Sequence, residues 1–83
     1  MKYSVFCTAA ADGELAAIWI SSDDRKSVSQ AAHDIEQALT TAPFTHGESR
    51  AGDLRIIFVA PLGARYLVLP EDQRAVIVQF WTF

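Results

Sequence analysis

Three arginines at positions 50, 55 and 65, with His46 and Glu48 just ahead of them, are the residues of this chain best suited to chemistry. A guanidinium offers a planar fork of N–H donors that matches a phosphate in two contacts at once. Arg55 and Arg65 stand at or near the starts of neighbouring apolar runs, where they could stabilise charge on a phosphorane, and Arg50 adds a third phosphate contact. Chemistry at a phosphate needs such cations, together with a group to take up a proton and a group to give one. His46 titrates near neutral pH and suits either proton-transfer role. Arg50, two residues from Glu48, tends to keep that carboxylate ionised. A plainer reading stands beside this one. The arginines are then edge residues lying over apolar neighbours and pairing with Asp53, Glu48 or a partner's carboxylates, and His46 is a solvated loop residue.

The elements that must position these groups come from apolar patterning. Leu54–Val59, Arg65–Leu69 and Arg74–Val78 read as three strands, joined by short connections at Pro61-Leu62-Gly63 and Pro70-Glu71-Asp72-Gln73. Their near-continuous apolar character implies a sheet covered on both faces. Lys2–Thr8, with Tyr3, Val5 and Phe6, makes a first strand. Thr8 caps a helix from Ala9 to about Ile20, with Ala11, Leu15, Ile18 and Trp19 on its apolar stripe and Trp19 facing the core. Asp12 and Glu14 lie in its first turns and complement the helix dipole. Ser21-Ser22-Asp23-Asp24 breaks and recaps the chain. A second helix follows from Arg25 to about Thr40, with Val28, Ala31, Ala32, Ile35 and Leu39 inward and Ser29, His33, Glu36 and Gln37 outward. Residues 42–53 read as a loop. The expected fold is α+β in the order βααβββ: an antiparallel twisted sheet with a helical hairpin on one face. Two helices cover one face only, so a partner should cover the other.

Composition narrows the classes. Eighty-three residues make one domain spanning 1–83, and a 51 % hydrophobic content is high for so small a surface-rich unit. A net charge of −3 argues against strong nonspecific nucleic-acid binding. The single Cys7 offers no intramolecular disulfide and reads as a small buried hydrophobe. The start lacks a signal-peptide pattern, and no apolar run is long enough to span a membrane, so the expected location is the cytoplasm. Cys7, His33 and His46 lack metal-ligand spacing, and no nucleotide-binding motif is present. Neither a metal nor a cofactor is expected.

The element order, with Gly47-Glu48-Ser49-Arg50-x-Gly52-x-x-Arg55 entering the second strand, resembles the RelE/ParE superfamily of bacterial toxins. Ala10-Ala11-Asp12-Gly13-Glu14-Leu15-Ala16 before Ile18-Trp19 is similar to its first helix. Pro70-Glu71-Asp72-Gln73-Arg74-Ala75-Val76 is similar to its final hairpin. The resemblance covers essentially the whole chain. It implies a toxin of a type II toxin–antitoxin, or plasmid-stabilisation, module, held inactive by a cognate antitoxin lying on it. One branch of the family cuts messenger RNA on the ribosome without a metal; another inhibits DNA gyrase. The resemblance implies Glu48 as base and Arg65 as the third-strand arginine of the nucleases, with Arg55 beside it.

The C-terminus departs from that pattern. Active ribonucleases of the family end in His or Tyr, often with Arg, whereas this chain ends Gln79-Phe80-Trp81-Thr82-Phe83. Thr82 and Phe83 transfer no protons near neutral pH, and Tyr66, the one late tyrosine, falls on an inner strand. Phe80, Trp81 and Phe83 suit base stacking or, better, an aromatic groove for an antitoxin segment. The residues lean slightly toward RNA cleavage over gyrase inhibition. Two other readings remain: a catalytically inactive interaction module of the same fold, and a homodimer paired through the exposed sheet face.

Overall fold

The computed structural model describes residues 2–41, 43, 48–51 and 54–83, with the side chains of residues 48–51 outside that description. His46, Gly47, Gly52 and Asp53 fall outside it, so the expectations placed on them do too. Along the chain come β1 (Ser4–Cys7), α1 (Ala9–Ser21), α2 (Arg25–Thr41), β2 (Glu48–Ala51), β3 (Leu54–Val59), β4 (Leu62–Leu69) and β5 (Arg74–Thr82). The strands form one sheet in the order β1-β5-β4-β3-β2, with both helices on one face.

Local chemistry sets the helix ends where the sequence puts them. The backbone N–H of Ala11 donates to Thr8 Oγ1 at 3.1 Å, closing the first turn of α1. At α2, Asp24 accepts from the Ser27 backbone N–H at 3.1 Å and from the Ser27 hydroxyl at 2.6 Å. These two bonds hold the Asp24 carboxyl below its ordinary range. Arg25 turns back to donate to the Trp19 and Ile20 carbonyls, both at 3.1 Å, and so satisfies the C-terminal end of α1. Ala11 and Ala31 are fully buried, and their small side chains let the helices and sheet approach closely.

The sheet refines the expected topology in three ways. β1 pairs parallel to β5, through Ser4↔Arg74 to Cys7↔Ile77, so the sheet is mixed rather than wholly antiparallel. A helical hairpin inserted between β1 and the later strands carries the chain back to the same end, which permits this parallel partner. A short strand, β2, forms inside the segment expected to be loop. The β3–β4 turn is Ala60-Pro61, with a cis peptide bond, and Leu62 and Gly63 already belong to β4.

Alternation then divides the strands. Ile57, Leu62, Ala64, Tyr66, Val68, Ala75, Ile77 and Phe80 face the helices and form one core with Val28, Ile35 and Leu39. Tyr66, the largest fully buried side chain among the described residues, donates its hydroxyl to the Pro43 carbonyl at 2.6 Å and ties Pro43 to the sheet. Burial pushes its phenol pKa up, while the Arg55 guanidinium pulls it the other way.

Candidate functional site: the open face of the sheet

The face away from the helices collects the other half of each strand. In β3 and β4, Ile56 pairs with Arg65 and Phe58 with Gly63. In β4 and β5, Gly63 pairs with Trp81 and Arg65 with Gln79. Phe6, Phe58 and Phe83 are about half exposed or more on this side. Phe58 meets Trp81 edge-on at 6.0 Å and Phe83 at 5.3 Å, a three-ring cluster at one end of the face. At the other end the Arg74 guanidinium lies 5.4 Å above the Phe6 ring. Arg65 is exposed between the two ends. Among the described side chains of β1, β3, β4 and β5, the ionisable groups on this face are Arg65 and Arg74. On these four strands the face is therefore cationic and aromatic, on a molecule whose net charge is −3.

Gly63 explains how the aromatic end is built. A Cβ at this position would fall 2.5 Å from Trp81 Cε2 and 2.6 Å from Trp81 Nε1, so the indole lies directly on the glycine backbone. The sequence assigns Gly63 to a turn; its role is this close approach.

Sequence expectations fare unevenly here. Arg55 pairs with Tyr66, whose side chain faces the helices, whereas Arg65 pairs with Ile56. Residues opposed in an antiparallel ladder share a face, so Arg55 and Arg65 are on opposite sides of the sheet. The two guanidinium groups are not brought together as a phosphate clamp. Glu48 is registered opposite Ile56, on the same cross-strand row as Arg65 and Gln79. The Arg50 side chain lies outside the described residues. Trp81 and Phe83 are on the open face, but Phe80 is a correction: it is 4 % exposed and packs among Val5, Cys7 and Leu15 beneath the helices. An extra residue in β5 causes this, because Val78 and Gln79 together face Arg65 and reset the alternation beyond them.

Trp19 is a second correction. It is 42 % exposed rather than core-facing, donates Nε1–H to Ser29 Oγ at 3.0 Å and carries the Arg25 guanidinium 4.7 Å over its ring. With Leu15, Ile20 and Ala32 it lines an open groove of about 650 Å³ between α1 and α2, rimmed by Asp12 and Glu36. Reasoning from the sequence missed this surface because α1 is apolar nearly all round and its stripe has no sharp edge.

Cys7 is half-buried on the helix side. Burial first, then the Asp12 carboxylate, pushes its thiol from an ordinary 9.0 to about 11. Among the described residues no three His, Cys, Asp or Glu side chains gather as metal ligands, and no helix is long and apolar enough to cross a membrane.

No family model matches the chain, and no curated protein matches it by sequence. Solved structures do match. The RelBE2 toxin–antitoxin complex of Mycobacterium tuberculosis aligns with a TM-score of 0.78 at 15 % identity, over 100 % of this chain and 93 % of that one. The chromosomal ParDE toxin–antitoxin system of P. aeruginosa gives 0.67 at 21 % identity, over 98 % and 96 %. The isolated E. coli RelE toxin gives 0.70 at 14 % identity, over 96 % and 83 %. The chain has the RelE/ParE toxin fold.

Proposed function

We propose that this chain is the toxin of a type II toxin–antitoxin module, that it acts through the open face of its sheet, and that a cognate antitoxin neutralises it by covering that face. The observation that carries this reading is the unshielded combination of Arg65 with the Phe58–Trp81–Phe83 cluster. Both helices are committed to the opposite face, so among the described residues no element covers these rings. Buried aromatic and arginine anchors dominate the energetics of protein interfaces. A partner segment with apolar anchors and carboxylates near Arg65 and Arg74 complements the face, whereas a second copy would oppose cation to cation.

Within the toxin class, the separation of Arg55 from Arg65 supports action by binding, as in gyrase inhibition, over cleavage of RNA. A phosphorane needs its cations on one side, and Arg55 pairs in register with an inward-facing residue. Tyr66 is withdrawn beneath the helices and its phenol is harder to ionise than usual, so it is unsuited to proton transfer at the open face.

Induction of the chain alone in a bacterial host tests the proposal, with growth, transcript integrity and DNA supercoiling followed together. Growth arrest relieved by co-expression of the adjacent small reading frame is the expected result. Arg65→Ala and Trp81→Ala should each abolish arrest in folded protein, and transcripts should stay intact. Unimpaired growth at full expression in the host of origin overturns the toxin assignment. Arrest with transcript cleavage that needs Arg65 restores the nuclease branch.

A further inference from the structure

Glu14 projects from α1, on the far side of the sheet from the aromatic cluster, yet its carboxylate is bonded to the strand that carries that cluster. Its Oε1 accepts the backbone N–H of Phe80 at 3.1 Å, a contact spanning 66 positions in sequence and partly buried. We infer that Glu14 is a positioning residue for the open face: it locks the β5 bulge that aims Gln79 and Trp81 outward.

Two independent features of the backbone converge on this bond. β1 accompanies β5 only as far as Cys7↔Ile77, and the last ladder contact is Thr8 N–H to the Ile77 carbonyl at 3.0 Å. Beyond Ile77 the chain of β1 has turned into α1, and β5 loses its neighbour on that side. The register with β4 also shifts there, from Tyr66↔Ile77 to Arg65↔Gln79, leaving Val78 as an extra residue. A bulge beside an unpaired edge is the weakest point of a ladder, because nothing opposes its migration by one residue. The Glu14 carboxylate supplies the acceptor that the missing strand would have provided, at the first N–H past Gln79. A charged acceptor holds such a donor more tightly than a carbonyl does.

The consequence reaches the other face through alternation. With the bulge in place, Phe80 points into the core and Trp81 lies on Gly63 against Phe58. A one-residue slip would put Trp81 under the helices and Phe80 outside. Glu14 thereby fixes which aromatic side chain the partner meets, without touching the partner. Its functional arm rests on the reading of the open face proposed above.

The test uses the full chain with Trp19→Phe, leaving Trp81 as the only tryptophan. Glu14→Ala removes the acceptor, Glu14→Asp withdraws it by one methylene, and Glu14→Gln keeps an oxygen of the same reach. Expected for both Ala and Asp is amide exchange at Phe80 at least about tenfold faster, the equivalent of one lost bond. Protection of the β3–β4 amides should be retained, and Trp81 emission should shift to the red with greater acrylamide quenching. Glu14→Gln should restore both signals. Unchanged Phe80 exchange and Trp81 emission in folded Ala or Asp variants overturn the inference. So does a uniform loss of protection across the sheet, which a merely structural role would give. Growth arrest is scored separately. Lost arrest in the spectrally altered variants supports positioning of the functional face, whereas shifted spectra with full arrest keep the Glu14 role and remove the open face as the toxic surface.

Discussion

Tyr66→Phe isolates a single bond in an otherwise unchanged core. The ring is fully buried, and its hydroxyl donates to the buried Pro43 carbonyl at 2.6 Å. Removing only the oxygen leaves the packing nearly intact and the carbonyl without this donor. An unsatisfied buried acceptor costs about 1–3 kcal/mol, and because the change opens little cavity, a value of about 1–2 kcal/mol is expected. For a domain of this length that corresponds to a fall in Tm of about 5–15 °C. Tyr66→Leu, which also removes the ring, should cost about 3–4 kcal/mol. Urea denaturation followed by far-UV circular dichroism measures both. A Tyr66→Phe protein within about 0.3 kcal/mol of the parent would refute the reasoning, since the phenol bond would then contribute nothing. The same residue sets a pH dependence. Its folded-state pKa lies above the ordinary 10.0, so its stabilising contribution is complete below that value and is lost as pH rises through the folded pKa. Tyr66→Phe should therefore be relatively less destabilised in alkali.

Three further outcomes are expected. Cys7, with its thiol near 11 instead of 9.0, should be alkylated about 100-fold more slowly at pH 8 than an unperturbed thiol, with the rate still climbing toward pH 11; stopped iodoacetamide labelling with mass spectrometry reads this. Thr8→Ala removes the cap at the start of α1 and should lower stability by about 1 kcal/mol, with Thr8→Ser recovering most of it in urea titrations. Gly63→Ala forces the Trp81 indole off the backbone by about 1 Å to reach ordinary contact. It should cost about 1 kcal/mol through the aromatic contact to Phe58 and shift Trp81 emission in a Trp19→Phe background.

The helices and the three main strands were legible because local signals specify them. Thr8 and Asp24 announce their helices, and Val28, Ile35 and Leu39 keep a clean stripe. Cross-strand register was not legible, and the site depends on it. A connection centred on Leu62 would set odd-numbered residues of β3 and β4 on one face, uniting Arg55 with Arg65. The observed Ala60-Pro61 turn opposes odd with even and parts them. The extra residue in β5 exchanges the faces of Phe80 and Trp81, and nothing in Val76–Phe80 marks Val78 as unpaired. β2 was hidden by polar residues whose pairing depends on β3 rather than on their own β-propensity. In sequence Glu14 is a charge serving its helix end, because its acceptor role involves a residue 66 positions away.

The central place of β5, between β1 and β4, bears on when a newly made chain can act. Among the described residues this strand links the N-terminal strand to the meander, and it spans residues 74–82. A ribosome that has translated both helices and the β3–β4 hairpin has still made no piece able to close the layer. Assembly must await residues 74–82 and then unite partners far apart in sequence, a slow kind of topology. Products truncated before residue 74 should fail to fold and be cleared by proteases, and the aromatic face should exist only once β5 has been made.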